Sequence, residues 1–290
     1  MIYSPSQTRS YLECPTKRML SQEGWTSRVV GIRDWAAWIG QGVHAGLAHK
    51  YGWKSEDAKA VVSAGYTAFQ AEYDHAIKSG RIIPNTFFVS EAKAHIERCL
   101  QHATTNDILP VGFDVERVEQ SLGEYNCILD VVGKRNGKPS FVDYKVKSKC
   151  KPDYIDQELE QYRYDWKEAR HYPWALSQVT GQRVEEYTVV IFILQPFKVV
   201  SRTYHVNWKV VERWAAGCLG PKLTGELDGL WNAMTYEEPW QSNMCMGGQW
   251  PCEYLDACWT YDLDREKMRA GGLVQVQRLN KQTLASSQEE

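Results

Sequence analysis

The hydrophobic periodicity of the chain changes near residue 112, and this change constrains the fold more than any other feature. Before it, apolar residues recur at helical spacing over about 4–22, 31–51, 55–79 and 88–104. After it, the helical period is lost and the sequence predicts three successive strands, Asp114–Leu122, Tyr125–Lys134 and Ser140–Lys147. Asn136-Gly137 separates the last two segments, and this dipeptide is the strongest short signal for a β-hairpin.

The second half of the chain adds the remaining strands of the predicted sheet. A helical pattern follows over about 153–180 and is broken or bent at Pro173. Tyr187–Leu194 is a continuous apolar run typical of a central strand, and Lys198–Val206 predicts one more strand. Residues from Asn207 to about Tyr236 are again helical. This order of elements predicts an α/β fold with a mixed central sheet flanked by helices.

The size of the chain suits one large domain. With 290 residues and 43% hydrophobic residues it can bury a sizeable core. We predict one domain over 1–265, with a helical part at about 24–110, a sheet core at about 111–206 and a loose tail over 266–290. The longest apolar run has six residues, against the ~20 that span a bilayer. Because Met1–Arg9 is polar, we expect a cytoplasmic protein with no membrane partner.

Charge excludes one class of protein and points to one segment. The formal net charge of −2 argues against a nucleic-acid coat protein, which is usually basic overall. The segment Lys134–Lys151, however, holds seven basic residues and the single acid Asp143. Such a segment is either a solvated, lysine-rich hairpin or a surface that contacts the nucleic-acid backbone.

The cysteines indicate a metal site. Eight cysteines in 290 residues are too few for a disulfide scaffold. Cys245, Cys252 and Cys258 crowd one segment that contains glycine and proline, and Cys14 lies near the amino terminus. Short loops let the three thiolates close around a metal, and Cys14 would be the fourth ligand of a zinc ion or an iron–sulfur cluster. The alternative is that these are ordinary core cysteines.

Two aspartates and a lysine indicate a second kind of metal site. Asp143 and Lys145 lie two residues apart in a predicted strand, so their side chains leave the same face, and the Tyr144 carbonyl lies beside that face. Asp130 interrupts the apolar run Ile128–Val132, where a carboxylate is costly without a partner or a cation. Carboxylates and an amine on adjacent strands suit magnesium or manganese. The alternative is a surface Asp–Lys pair with Asp130 at a strand end.

Taken together, these elements resemble a known family. Asp130 followed after a hairpin by Asp143-x-Lys145 resembles the core of the PD-(D/E)XK nuclease superfamily. The segment Ser4–Pro15 is similar to the opening of its RecB-like branch, and Gly40-Gln41-Gly42-Val43-His44 matches the Gly-x-x-x-His element of that branch. The carboxy-terminal cysteines resemble the iron–sulfur clamp of CRISPR-associated RecB-like exonucleases and of AddAB-type helicase–nucleases.

The resemblance implies a set of site residues. It implies a restriction-endonuclease-like sheet with an inserted amino-terminal helical region and a cysteine-clamped carboxy-terminal segment. His44, Asp130, Asp143 and the Tyr144 carbonyl would hold Mg²⁺ or Mn²⁺, and Lys145 would join them in catalysis. The 4Fe–4S cluster, or a structural zinc in its place, would be bound by Cys14, Cys245, Cys252 and Cys258. The expected DNA contacts are Lys147, Lys149, Lys151, Glu168 and Tyr172.

The chain departs from the family pattern in two places. The Gln-x-x-x-Tyr motif of the family corresponds here to Glu168-Ala-Arg-His-Tyr172, with glutamate in place of glutamine. The spacing Cys245-x6-Cys252 is longer than the Cys-x2-Cys of well-known relatives. The first departure bears on DNA contact by this helix, and the second leaves the clamp feasible because Met-Gly-Gly-Gln is flexible.

The function implied by the resemblance is that of a metal-dependent DNA nuclease. It would hydrolyse phosphodiester bonds as an exonuclease that favours single-stranded DNA ends, with a helicase, recombinase or integrase as partner. Two alternatives belong to other classes. One is an inactive DNA-binding or assembly module on the same fold, and the other is an iron–sulfur redox protein. A magnesium-dependent cleavage assay separates the first from the nuclease, and reversible reduction linked to activity identifies the second.

Overall fold

The structure of the protein, a computed structural model, describes residues 19–21, 23–125, 127–165, 167–218 and 265–276. Its helices are α1 (Ile32–Gly52), α2 (Ala58–Lys78), α3 (Val89–Thr105), α4 (Ile155–Gln161), α5 (Tyr172–Thr180), α6 (Trp208–Cys218) and α7 (Arg265–Ala270). A π-helical turn, Lys167–His171, directly precedes α5. Its strands are β1 (Trp25–Ser27), β2 (Phe113–Ser121), β3 (Ile128–Arg135), β4 (Lys138–Lys149), β5 (Glu186–Gln195), β6 (Lys198–His205) and β7 (Leu273–Gln275).

The central sheet has five strands in the order β2-β3-β4-β5-β6. Within it β4 and β5 run parallel, and the other neighbouring pairs run antiparallel. Because a parallel connection needs a crossover, the chain leaves β4, passes through α4, the π-helical turn and α5, and returns as β5. The predicted α/β fold, a mixed central sheet flanked by helices, is therefore confirmed.

Strand β5 explains why one segment of the sequence is continuously apolar. It lies between β4 and β6, and both of its faces are covered. Val190 and Phe192 belong to the core on one face, whereas Val189 and Ile191 belong to the core on the other. A strand buried on both faces needs apolar residues at every position, since neither set of side chains meets water.

Helices α1, α2 and α3 form the layer on the first face. Their core includes Val43 and Leu47 of α1 together with Val142 and Val190 of the sheet. A Cβ atom at Gly42 would lie 2.9 Å from the Gly65 carbonyl oxygen of α2, so only glycine permits this approach of the two helix backbones. The close packing fixes α1 over the sheet and, with it, the side chains that α1 directs towards the strands.

The opposite face of the sheet is covered by the crossover helices. Phe141, Tyr187 and Ile191 of the sheet pack there with Leu159 of α4 and Leu176 of α5. The Tyr187 hydroxyl donates a hydrogen bond of 2.7 Å to the Tyr162 carbonyl oxygen, which fixes the end of α4 against the sheet. The sheet is thus covered by helices on both faces.

The turn between β3 and β4 has the conformation that its sequence predicts. Asn136 has φ of 50° and Gly137 has φ of 80°, so both residues are left-handed. Two left-handed residues form the type I′ turn, whose twist matches that of the flanking strands. Arg135 then pairs with Lys138 as the first pair of the hairpin.

The crossover differs in detail from the prediction. The helical pattern over 153–180 is interrupted between α4 and the π-helical turn, whereas Pro173 lies in the first turn of α5. In the first turn the missing N–H of proline breaks no helical hydrogen bond. Asp165 lies in the interruption, and its carboxylate accepts a hydrogen bond of 2.7 Å from the Lys167 N–H, which competes with a continuous helix.

Residues 266–276 of the predicted loose tail lie within the described residues and carry two short elements. Residues 265–270 form α7, and β7 pairs antiparallel with β1 in a second, two-stranded sheet. Trp25 and Leu273 are buried there, and this burial gives the short strands their packing. The predictions for 1–18, 219–264 and 277–290 lie outside the described residues.

Candidate active site

Strands β3 and β4 separate at the end away from their turn. Their paired register begins at Arg135–Lys138 and stops at Val131–Val142. Directly beyond it lie Asp130 on β3 and Asp143 on β4. In place of a ladder hydrogen bond, Asp130 Oδ2 accepts one of 2.6 Å from the Tyr144 N–H. We call this region of β3 and β4 the open end of the hairpin, and each strand brings one carboxylate to it.

The backbone of Tyr144 faces the same gap. In an extended strand the N–H and C=O of one residue point to the same side, and the Tyr144 N–H points at Asp130. The Tyr144 carbonyl oxygen therefore points to the gap side of β4, where it can serve as a metal ligand. The Tyr144 side chain is 2% exposed and packs beneath α1, and the centroid of its ring lies 6.1 Å from that of the His44 ring.

His44 reaches the open end from the helical layer. Its Nδ1 lies 3.2 Å from Asp130 Oδ1, and the two side chains are 28% and 12% exposed. Burial lowers the pKa of His44, but the charge and hydrogen bond of Asp130 outweigh it and raise this pKa to about 9. Burial also raises the pKa of Asp130, but His44 outweighs it and the net shift is downward. The pair is therefore an imidazolium and a carboxylate at neutral pH.

A third ligating group at this point is Glu119 of β2, which the sequence analysis missed. Ligand atoms of His44, Glu119 and Asp130 all lie within 4.8 Å of one another. Glu119 has φ of 45°, an unusual left-handed conformation for a residue within a strand. The register of the β2–β3 pair brings Glu119 to this point. Val118–Val131 and Gln120–Leu129 are paired, so Glu119 lies opposite Asp130 between them.

Lys145 and Asp143 project to the other face of β4, towards the crossover helices. The Lys145 ammonium lies 2.6 Å from Asp143 Oδ2 and 2.7 Å from Glu168 Oε1. Burial lowers the pKa of Lys145, but the two carboxylates outweigh it and raise this pKa well above its usual value. Lys145 therefore stays a cation at neutral pH and cannot serve as a general base there.

The buried carboxylates carry more negative charge than their surroundings favour. Burial raises the pKa of Asp143, and the Asp130 carboxylate raises it further against the opposing effect of Lys145. Burial and the charge of Asp143 raise the pKa of Glu168 to about 8. Both shifts have the direction that a bound cation would reverse, because a positive charge favours ionised carboxylates.

The donor set fits a hard divalent cation. A ring nitrogen of His44 and the carboxylates of Glu119 and Asp130 converge, and the Asp143 carboxylate and the Tyr144 carbonyl belong to the same open end. Carboxylate and carbonyl oxygens suit Mg²⁺ or Mn²⁺, and manganese also accepts an imidazole nitrogen. The described residues can therefore hold such an ion.

Glu168 and Tyr172 occupy positions that argue against direct DNA contact. Glu168 is 2% exposed and pairs with Lys145, and Tyr172 is 6% exposed with its ring 5.9 Å from the Phe141 ring. The π-helical turn directs Glu168 into the site rather than towards solvent. The glutamate that replaces the family glutamine thus contacts Lys145, which the sequence analysis did not foresee.

The basic segment is mostly neutralised by acids from neighbouring elements. Pairs of opposite charge join Lys134 to Glu116, Arg135 to Glu186, Lys138 to Glu185 and Lys147 to Glu158. Lys149 and Lys151 are exposed, and the described part of the chain offers neither of them an ion-pair partner. A charged nucleic-acid contact in this segment is therefore best placed at these last two lysines.

The predicted cysteine clamp cannot be located in the described residues. Cys14, Cys245, Cys252 and Cys258 all lie outside them. Within the described ranges, Cys99, Cys127 and Cys150 are free cysteines, and Cys99 is fully buried in the helical layer. Burial raises the pKa of the Cys99 and Cys127 thiols to about 12 each. These two are therefore inert core cysteines at neutral pH.

Comparisons with known proteins agree with this geometry. The family model described as PD-(D/E)XK nuclease superfamily matches residues 2–258, which is most of the chain. A search of curated proteins returned no match. The helices of the described residues are all too short or too polar to traverse a bilayer.

Proposed function

This chain belongs to the PD-(D/E)XK nuclease superfamily, and we propose that it is a Mg²⁺- or Mn²⁺-dependent deoxyribonuclease. The observation that carries the proposal is the open end of the β3–β4 hairpin. There Asp130 pairs with the His44 imidazole, and Asp143, the next residue across the hairpin, pairs with the Lys145 ammonium on the other face of β4. The family is one of metal-dependent nucleases, and the donor set is of the kind that such chemistry needs.

The metal would be held by His44, Glu119, Asp130, Asp143 and the Tyr144 carbonyl. When bound, it would supply a water of lowered pKa and positive charge for the phosphate oxygens. The role of His44 depends on the loss of its proton, because a metal binds the neutral imidazole. Asp130 would keep the imidazole in place, since it already accepts a hydrogen bond from it.

Lys145 would act on the substrate as a fixed cation. Its ammonium is held by two carboxylates while 23% of its side chain is exposed, which leaves room for a phosphate oxygen. A preorganised positive charge stabilises the negative charge that develops on phosphorus-bound oxygens in the transition state. Because its pKa is raised, the charge persists through the neutral range.

DNA would follow the carboxy-terminal end of β4. Lys149 and Lys151 are the exposed basic residues there, and Lys147 would add to them if its exposed pairing with Glu158 opens. Contacts of this kind go to the phosphate backbone, so binding would be largely independent of sequence and would weaken with salt.

The finer features of the proposal rest on resemblance to the RecB-like branch. These are an exonuclease preference for single-stranded ends, a helicase, recombinase or integrase partner, and a cytoplasmic location. Cys14, Cys245, Cys252 and Cys258 would bind a 4Fe–4S cluster that ties the ends of the domain together. Anaerobically purified protein would then be brown and absorb near ~400 nm, whereas colourless protein with stoichiometric zinc would indicate a zinc site.

The deciding experiment is a time course on end-labelled single- and double-stranded DNA with magnesium or manganese. We expect metal-dependent cleavage that begins at single-stranded ends. Lys145→Ala and Asp143→Ala should each reduce the rate by at least about 100-fold while DNA binding persists. Lys138→Ala, on the same strand but at the turn, should cleave as the parent does.

Two outcomes would contradict the proposal. If Lys145→Ala and Asp143→Ala cleave as fast as the parent, the residue roles are wrong. If the folded parent binds DNA but does not cleave it with either metal, the chain is an inactive binding module on this fold.

A further inference from the structure

Carboxyl groups contact the Lys145 ammonium from two different elements. Asp143 lies on its own strand, 2.6 Å away, and Glu168 lies on the π-helical turn, 2.7 Å away. The centroid of the Tyr162 ring is 5.9 Å from the same nitrogen, at the outer limit of a cation–π contact. A long, flexible side chain is therefore confined by groups from three separate parts of the fold.

Glu168 is placed by an unusual piece of backbone. It sits in the five-residue π-helical turn Lys167–His171, and turns of this kind are rare and concentrate at functional sites. The side chain is 2% exposed, and its Oε1 faces the Lys145 ammonium. The carboxyl group is thus held away from water at the position where it contacts Lys145.

Stability gives no reason for a second carboxylate here. Asp143 already compensates the charge of Lys145, and burying another acid costs solvation free energy that one shared ion pair does not offset. A glutamine at 168 would accept a hydrogen bond from the ammonium at lower cost. The observed glutamate makes a second contact with the ammonium.

We propose that Glu168 is a positioning residue that fixes the Lys145 ammonium, by a second carboxylate contact, at the place where phosphate charge develops. The inference rests on the proposed nuclease function for its kinetic consequence, but the contact itself concerns only this chain. Without Glu168, Lys145 would keep its charge and one partner while sampling other orientations. Misplacement of a catalytic group by about 1 Å can reduce a rate about 100-fold.

The kinetic experiment compares Glu168→Ala and Glu168→Gln with the parent under single-turnover and steady-state conditions. We expect Glu168→Ala to lower kcat about 100-fold and Glu168→Gln, which keeps one acceptor, about 10-fold, with KM changed less than about twofold. Glu186→Gln is the matched control, because it removes a partly buried glutamate from Arg135 at the turn end. That control should retain the parent kcat.

A second measurement does not depend on nuclease activity. Lysines of the metal-free protein are acylated at alkaline pH, and labelling is quantified by mass spectrometry with Lys149 as internal reference. In the parent, the ammonium between two carboxylates should react slowly. In Glu168→Ala the labelling of Lys145 should rise about tenfold, because one of the two side chains that confine the ammonium is removed. Labelling of Lys149 should not change.

The outcomes separate the two proposals. Faster labelling of Lys145 in Glu168→Ala, together with no cleavage by the parent, would contradict the proposed nuclease function but support the contact between Glu168 and Lys145. Unchanged Lys145 labelling, or a folded Glu168→Ala protein with the parent kcat, would overturn the role of Glu168. A fall in kcat that only matches the fraction of unfolded protein in both Glu168 variants would assign Glu168 a structural role and equally overturn it.

Discussion

The two ends of the β3–β4 hairpin are built from the same strands but by different interactions. At the turn end, Arg135 and Lys138 form a ladder pair and their charges meet Glu186 and Glu185 near the surface. At the open end the ladder has stopped, and the charged groups are mostly buried. The turn end is made by the turn and by acids at the start of β5, whereas groups from α1, β2 and the π-helical turn complete the open end.

This difference determines what each charge does. An exposed ion pair at the turn end contributes at most about 1 kcal/mol, because water screens it and the side chains lose entropy on pairing. Groups at the open end have lost most of their water, so each depends on its partners and changes the pKa of its neighbours. Water therefore stabilises the charges at the turn end, whereas the charges at the open end depend on specific partners.

The largest expected loss of stability comes from Asp130→Ala. The substitution leaves the His44 cation and the Tyr144 N–H without their partner, so the free energy of unfolding should fall by about 3–5 kcal/mol. Urea denaturation of the metal-free protein measures this free energy of unfolding. Glu185→Ala, at the turn end, should lose less than about 1 kcal/mol. Equal losses at the two ends would erase the distinction between them.

A pH-dependent loss should come from His171, which joins the start of β3 to the π-helical turn. Its Nε2 donates a hydrogen bond of 2.8 Å to the Tyr125 carbonyl oxygen, and burial lowers its pKa to about 4 against the smaller effect of that bond. The unfolded chain takes up a proton below pH 6.5 and the folded chain does not, so stability falls as the pH drops from 6.5 to 4. The contribution of His171 to this loss in the free energy of unfolding is about 3 kcal/mol.

Unfolding free energies at pH 7 and pH 4.5 test this contribution. His171→Gln should lose the part of the pH dependence that His171 contributes. If His171→Gln responds to pH as the parent does, the buried neutral state of His171 is wrong.

The next effect concerns the metal rather than the fold. Glu119→Gln should weaken Mn²⁺ binding about tenfold, because it removes one carboxylate from the group with His44 and Asp130. The rise in melting temperature on addition of Mn²⁺ measures apparent affinity. Glu116→Gln, on the same strand but paired with Lys134, is the control. An unchanged midpoint for Glu119→Gln would remove Glu119 from the site.

The smallest expected effect is at the turn itself. Gly137→Ala places a side chain at φ of 80° and should cost about 1 kcal/mol through backbone strain. Cleavage per folded molecule should not change, because the turn lies at the far end of the hairpin from Asp130 and Asp143. A loss of kcat in Gly137→Ala would show that the turn end and the open end of the hairpin are coupled.

The sequence by itself determined the features that repeat locally. The helical period located α1–α3, the change of period and one continuous apolar run located the five strands of the central sheet, and Asn136-Gly137 located the hairpin turn. Alternation along β4 put Asp143 and Lys145 on one face, and the apolar surroundings of Asp130 marked it as a carboxylate in need of a partner. Each of these follows from the geometry of a few consecutive residues.

Only the tertiary structure decided which groups complete the site. Glu119 reaches Asp130 because β2 pairs with β3 in one particular register, and Glu168 reaches Lys145 because a π-helical turn folds back over β4. The antiparallel pairing of β7 with β1 likewise joins distant parts of the chain. Such contacts depend on packing between remote segments, and burial then sets the charge state of each group, so no local pattern records them.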